Sequence, residues 1–190
     1  MYFWETGNDP SPTVMGYLNA NYSMEDFTVC NGIGCASGGD TSMIDTSGDA
    51  VISAGQGFAI KAEQNAAANV TFTNAMRVAT NNTFRNNISD KDRIWVKIEN
   101  EKYDLFSQTL IGFDENATPG LDSGYDTKRN ATALNVFSHT KDGNYLAIQG
   151  REPFRRDMEI EIGFSTVVEE SLQYRISIDH MTGLHISDSP

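Results

Sequence analysis

The acidic residues between positions 114 and 126 are the side chains whose types and spacing best suit metal chemistry. Asp114, Asn116, Asp122 and Asp126 place oxygen atoms within one glycine-containing loop, and hard cations such as Ca²⁺ are bound by oxygen ligands. The spacing differs from that of an EF-hand, and Asp and Asn in loops also cap turns by accepting backbone N–H groups. Calcium is therefore the cofactor considered for this loop, and turn capping is the favoured alternative.

A second acidic loop, DTSMIDTSGD, carries Asp40, Asp45 and Asp49. The same two interpretations apply to it, because closely spaced carboxylates in a loop either bind a cation or accept hydrogen bonds from nearby backbone groups.

Catalytic patterns are weak in this chain. Glu159 and Glu161 lie two residues apart on a predicted strand, where alternation places both on a solvated face, and nothing nearby would separate their pKa values as glycosidase chemistry requires. No serine lies in a nucleophile elbow, and the histidines lack metal-ligand spacing. The chain is therefore predicted not to be an enzyme. The residues considered were Ser107, Ser138, Ser177, His139, His180 and His185.

Cys30 and Cys35 are the two cysteines of the chain, in the segment CNGIGC. Four intervening residues, two of them glycine, allow a tight loop to close into a disulfide. Two free thiols are the alternative, whereas a zinc site would need further ligands that do not lie nearby.

Trp95 is the residue predicted to bind a ligand. It alternates with Ile94 and Val96, so it falls on the polar face of its strand, where an exposed aromatic ring can stack on the apolar face of a sugar. The other aromatic residues considered for such a platform are Tyr2, Phe3, Trp4 and Tyr125.

Composition disfavours several classes of partner. The chain has 190 residues, enough for one domain with a sizeable core. Its net charge of −12 disfavours binding to nucleic acid and to anionic lipid surfaces. No run reaches the roughly 20 apolar residues of a membrane span, so direct membrane insertion is not expected.

The pattern of the chain predicts an all-β fold. FAIKA and VTFTNAMRV suggest one hairpin, RIWVKIE and YDLFSQTLIGF a second, and Asp142-Gly143 supplies the turn of a third. MEIEIGFS and LQYRISID alternate apolar and polar residues, which predicts strands with one solvated face. The predicted architecture is a single antiparallel β-sandwich, jelly-roll-like, over residues 1–190.

Seven short segments occur in one order along the chain: GQGFAIKA, VTFTNAMRV, NNTFRN, KDRIWVKI, LFSQTLIGF, ATPGLDSGYD and YLAIQGRE. Together they resemble a recurrent region of Bacteroidota surface proteins, and the opening YFWETGND resembles the start of that region. In that family they precede a C-terminal type IX secretion sorting domain. Ala59 departs from the pattern, since the family often has an aromatic residue there.

The resemblance implies that this chain is a piece of a larger secreted protein. The piece would stop at Pro190, before the sorting domain. Its location would be extracellular or on the outer cell surface. The expected role is a non-catalytic structural or interaction domain that supports display, adhesion or assembly, with cell-surface or secretion-machinery proteins, glycans or a second copy as partners. A carbohydrate-binding module of a secreted polysaccharide-degrading enzyme is the alternative.

Overall fold

The structure, a computed structural model, describes residues 1–4, 11–12, 24–37, 52, 57–62, 69–77, 91–130 and 132–184. These residues form ten β-strands and two 3₁₀ turns, at Met24–Asp26 and Asn74–Met76. The predicted all-β class is confirmed.

A small antiparallel sheet contains three strands in the order β1-β2-β3: β1 (Tyr2–Trp4), β2 (Phe27–Cys30) and β3 (Cys35–Ala36). Cys30 and Cys35 lie opposite each other across β2 and β3, and a disulfide joins them with their Cα atoms 4.1 Å apart. The predicted disulfide is thus confirmed.

A large sheet contains the remaining seven strands. Six follow the order β10-β4-β5-β8-β7-β9, and the short β6 pairs with β8. Their bounds are β4 (Asp92–Asn100), β5 (Leu105–Phe113), β6 (Thr127–Lys128), β7 (Leu134–His139), β8 (Tyr145–Arg151), β9 (Ile162–Thr166) and β10 (Arg175–Thr182).

Two of the predicted hairpins are confirmed. Strands β4 and β5 pair without interruption from Asp92–Phe113 to Asn100–Leu105. Strands β7 and β8 pair around the turn that contains Asp142-Gly143. Gly143 has a φ of +80°, and its N–H donates to the carbonyl of Thr140, so glycine supplies the left-handed conformation that this turn requires.

One pair of strands in the large sheet is parallel. Leu110–Phe113 of β5 align with Ile148–Arg151 of β8, and the long connection between these strands gives the chain room to return in the same direction. The expectation of wholly antiparallel sheets is therefore wrong at this pair, and a jelly roll is not confirmed.

The hairpin predicted from FAIKA and VTFTNAMRV is not found in the described residues of these runs, which do not pair with each other. Ala59 instead exchanges two backbone hydrogen bonds with Tyr2, at 2.8 and 2.9 Å. The described part of the second run contains the Asn74–Met76 turn. Ala59 therefore pairs with β1, which is distant in sequence, although the local residues have high β-propensity.

The small sheet packs on one face of the large sheet. Val29 and Ala36 of the small sheet, with Ile33 of the loop between β2 and β3, form a core cluster with Trp95, Leu110 and Ile148 of the large sheet. Ile33 fits closely over β5 because Gly112 has no side chain: a Cβ atom there would lie 2.0 Å from Ile33 Cγ2. This fit fixes where the loop between β2 and β3 docks.

A second core cluster lies elsewhere on the large sheet. Ile98, Leu134 and Val136 are buried together, and half-buried Val96, Leu105 and Tyr174 pack against them. Because β4 and β7 both contribute to this cluster, the sheet curves around it. The curvature determines where the two outer strands, β9 and β10, lie.

Candidate interaction surface

Large apolar side chains are exposed on the two outer strands of the large sheet. In the described residues, β9 pairs only with β7 and β10 only with β4. The exposed fractions are 37% for Ile162 and 46% for Phe164 on β9, and 52% for Ile176 and 59% for Ile178 on β10. These four residues are called the outer apolar strip.

The register of the strands relates this strip to the buried cluster. Ile176 pairs with Ile98, and Phe164 pairs with Val136. Residues opposite each other in a sheet point to the same face, so the strip extends the buried cluster outward to solvent. The rings of Phe164 and Tyr174 lie 5.5 Å apart, which connects the β9 side of the strip to the start of β10.

The alternation in these strands predicts that their apolar residues face a core, with glutamates and other polar residues facing water. The alternation is present, but the apolar side is also exposed. Contiguous apolar surface on a protein marks interaction sites more often than isolated exposed residues do. The outer apolar strip is therefore the candidate site.

Charged residues line the opposite face of β10 and of its neighbour β4. Arg175 forms an ion pair with Glu99, and Lys97 lies 2.8 Å from the same carboxylate. Hydrogen bonds from Lys97, then from Arg175, lower the pKa of Glu99. Glu170 binds both Lys102 and Tyr103 beside the strand. The two faces of β10 therefore differ sharply in polarity.

Trp95 is buried between the two sheets, whereas alternation predicted that it faces solvent. It is 0% exposed, its indole Nε1 donates to the Cys35 carbonyl at 2.8 Å, and its ring stacks on His180 at 4.0 Å. The prediction of an outward ligand-binding residue is wrong, because the small sheet covers the face of β4 that alternation assigned to solvent.

The acidic loop is held together by its own carboxylates. Asp114 accepts a hydrogen bond from the Asn116 backbone N–H at 2.9 Å. Asp122 accepts from both the backbone N–H and the hydroxyl of Thr118, at 2.6 and 3.0 Å. These are capped turns of the kind that short polar side chains form with nearby backbone groups.

Asp126 connects this loop to the large sheet. Its carboxylate accepts from the backbone N–H groups of Asp122 and Gly150, at 2.5 and 2.8 Å. Burial raises the pKa of Asp126 to about 6, although the two N–H donors act to lower it. The loop approaches the sheet closely here because residue 150 is glycine. A Cβ atom on it would lie 2.7 Å from the Cβ of Tyr125, the residue before Asp126.

The structure brings Asp122 and Asp126 together but joins Asp114 to Asn116 separately. Among the described residues, no group of three or more His, Cys, Asp or Glu side chains is placed to hold a metal. Calcium at this loop stays a prediction, and turn capping accounts for the observed contacts. Asp40, Asp45 and Asp49 lie outside the described residues.

Of the other residues weighed for catalysis, the structure brings His139 and Glu161 together. His139 contacts Glu161 at 3.0 Å, and His180 contacts Asp179. Ser107 accepts a hydrogen bond from the Val136 backbone N–H, so its hydroxyl helps to join β5 to β7. His185 lies outside the described residues.

An exposed aromatic residue that the sequence analysis did not single out is Tyr145, at 48% exposure. Its ring lies 4.8 Å from Phe137 and 6.0 Å from His139, and the Arg129 guanidinium lies 5.3 Å from it. The alternation in YLAIQGR, with Leu146 and Ile148 buried and Tyr145 exposed, is the sequence signal that would have identified it.

Comparison with protein families gives a match over nearly the whole chain. The family described as Domain of unknown function (DUF8693) matches residues 1–189. The chain belongs to this family. No curated protein and no solved structure matches the chain. The outer apolar strip and Tyr145 therefore lie in a DUF8693 domain. In the described part of this domain, no helix has the length and apolar character needed to span a membrane.

The position of Trp95 generates a prediction about stability. Trp95→Ala is expected to lower the free energy of unfolding by about 3–5 kcal/mol, because it opens a cavity between the sheets. Trp95→Phe keeps most of the apolar volume and loses the bond to Cys35, at a cost of about 1–2 kcal/mol. Urea unfolding measures both changes, with Val167→Ala as the control because the Val167 side chain is 73% exposed. An Ala variant as stable as the wild type would contradict the assignment of Trp95 to the core.

Asp126 generates a prediction about pH. Its pKa is raised to about 6 in the folded state, above the ordinary value of about 3.9, so the proton binds the folded chain more tightly. This contribution to stability is complete below about pH 4 and is lost as the pH rises to about 6. Urea unfolding of the wild type should show this loss. The Asp126→Asn variant should lack it, and equal pH profiles for the two proteins would count against the prediction.

Proposed function

We propose that this chain is a non-catalytic extracellular interaction domain, a module of a type IX secretion cargo that supports display, adhesion or assembly at the cell surface. The observation that carries the proposal is the outer apolar strip. A domain that acts by contact needs an accessible surface whose burial is favourable. Burial of exposed apolar side chains lowers the free energy by about 25 cal/mol for each Å² removed from water.

The Cys30–Cys35 disulfide supports an extracellular location. Disulfides persist in oxidising compartments and are rare in the reducing cytosol. The bond closes the loop that carries Ile33, and this loop docks on Gly112 and on the cluster around Trp95. The small sheet therefore depends on a bond that is favoured outside the cell.

The secretion route rests on the order of segments from GQGFAIKA to YLAIQGRE, which resembles the region before a type IX sorting domain. The acidic balance of the chain fits the same setting, since a net charge of −12 disfavours nucleic acid and anionic lipid as partners. Proteins of the cell surface or the secretion machinery are the partners that the proposal favours.

Location is the direct test of this proposal. In the bacterium that produces the chain, an antibody against it should label intact cells or detect the chain in the medium. Disruption of the type IX machinery should retain the chain in the periplasm. Thiol alkylation before lysis should leave Cys30 and Cys35 unmodified, because the disulfide protects them. A chain detected only after lysis and fully alkylated would overturn the proposal.

Carbohydrate binding is the second candidate function, and Tyr145 is the observation that favours it. Its exposed ring is supported by Phe137, with Arg129 and the His139–Glu161 pair nearby. An aromatic face beside hydrogen-bonding groups suits a sugar ring. The buried Trp95 offers no such platform.

Glycan binding should depend on Tyr145 if this second function holds. Tyr145→Ala is expected to weaken binding on a glycan array by about tenfold, equivalent to about 1.4 kcal/mol. Tyr103 is 49% exposed and provides the matched control, since Tyr103→Ala removes a similar ring elsewhere. Absence of binding by the wild type, or an equal loss in both variants, would count against a site at Tyr145.

A further inference from the structure

Strand β10 presents an exposed edge in the described part of the chain, where β4 is its single sheet neighbour. The five residues Arg175–Asp179 are all exposed although they lie in a strand. An open edge offers unpaired backbone N–H and C=O groups to another strand, and proteins often protect such edges with lysine or proline. Neither residue type occurs between Arg175 and Asp179.

The five residues read Arg-Ile-Ser-Ile-Asp, a sequence that is complementary to itself about its centre. When two antiparallel copies align with Ser177 opposite Ser177, Ile176 lies opposite Ile178 of the second copy. Arg175 then lies opposite Asp179 of the second copy. Apolar residues meet apolar residues and opposite charges meet, and both kinds of cross-strand pair stabilise a sheet.

The pairing above requires the two charged residues to lie on one face of β10 and the two isoleucines on the other, and the contacts within one copy meet this requirement. Arg175 bonds Glu99 on the polar face, and Asp179 accepts a hydrogen bond from Gln108 at 2.9 Å. Gln108 pairs with Lys97, and Lys97 pairs with Ser177, so Arg175 and Asp179 lie on the same face. Ile176 and Ile178 lie on the other.

Strand β9 is less suited to the same role. It has five residues, whereas β10 has eight, and its sequence Ile-Gly-Phe-Ser-Thr has no charge complementarity to itself. On β10, the register shift between Ile178 and His180 marks Asp179 as the bulged residue. A bulge interrupts regular pairing, so the regular edge ends at Ile178, and the Asp179 side chain beside it is held on the face of Arg175 by its bond to Gln108.

We propose that two copies of this chain associate by antiparallel pairing of β10, centred on Ser177. The second copy is the partner of the β10 half of the outer apolar strip, so this inference rests on the proposed interaction function and deepens it. Pairing joins the two large sheets into one and places four isoleucines together on one face. The two Arg175–Asp179 pairs lie on the other face, where they oppose the repulsion between two acidic chains.

A cysteine crosslink tests the register. Cys30 and Cys35 are bonded to each other, so an introduced cysteine is a free thiol. In the Ser177→Cys variant the two thiols lie opposite each other across the dimer axis, and mild oxidation should yield a covalent dimer on a non-reducing gel. Ile176→Cys and Ser171→Cys are the controls. Both should run mainly as uncrosslinked chains on the gel, because neither residue lies opposite itself in this register. Faster crosslinking of Ile176→Cys than of Ser177→Cys would overturn the register centred on Ser177.

A charge reversal tests the pairing of Arg175 with Asp179. Sedimentation equilibrium of the wild-type chain should show a concentration-dependent dimer. Arg175→Glu places two acidic residues opposite each other at both ends, and the dimer dissociation constant should rise by about tenfold or more. Because Arg175 also pairs with Glu99 of its own chain, the double variant Arg175→Glu/Asp179→Arg, which restores opposite charges across the dimer axis, should recover most of the lost affinity. Arg155→Glu makes the same change of charge at an exposed residue outside the strands and should leave the constant within about twofold. Equal effects of the two variants would overturn the proposed pairing.

The two proposals can fail separately. A wild-type chain that is monomeric at every concentration, with no crosslink in Ser177→Cys, would overturn self-association while surface labelling of intact cells still supports an interaction domain with another partner. A dimer found for a chain that stays in the cytoplasm would support the pairing of β10 and overturn the extracellular function.

Discussion

The packing of the disulfide-closed loop on Trp95 is the contact on which the arrangement of the two sheets depends. Trp95 donates to the Cys35 carbonyl, and Ile33 occupies the space that Gly112 leaves open. Asn31 strengthens the same junction by donating to the Tyr125 carbonyl at 2.8 Å and to the Thr127 hydroxyl at 3.0 Å. These contacts bury both the backbone turn and the indole, so the small sheet stabilises the large one by covering it.

The position of the small sheet explains why residues around Trp95 are buried whereas apolar residues on β9 and β10 are exposed. The small sheet shields the face around Trp95, and the curvature around Ile98 and Val136 shields part of the other face. Strands β9 and β10 lie beyond both clusters, so Phe164 and Ile176 stay exposed although their register partners are buried. Exposed apolar surface at an open sheet edge is available for a partner, and the proposed functions follow from that position.

The acidic loop shows how one set of residues can resemble a metal site and serve the fold. Asp122 and Asp126 cap turns by accepting hydrogen bonds from backbone N–H groups, and Asp126 also accepts one from Gly150 in the large sheet. Burial of this carboxylate opposes ionisation, which links the loop to pH through the folded state. Position along the chain brings these side chains close together, whereas the direction of the backbone amides determines what they bind.

The sequence by itself determined the all-β class, the disulfide and two hairpins, because alternation, cysteine spacing and the Asp-Gly turn act over short distances. It did not determine which face of a strand would be covered. Alternation placed Trp95 in solvent and Ile176 toward a core, and the structure reverses both, because sheet packing joins residues that are far apart in sequence. The parallel pairing of β5 with β8 and the Tyr2–Ala59 bridge were decided in the same way. Tertiary packing therefore assigned the candidate site, since exposure depends on what lies above each strand and no local pattern records it.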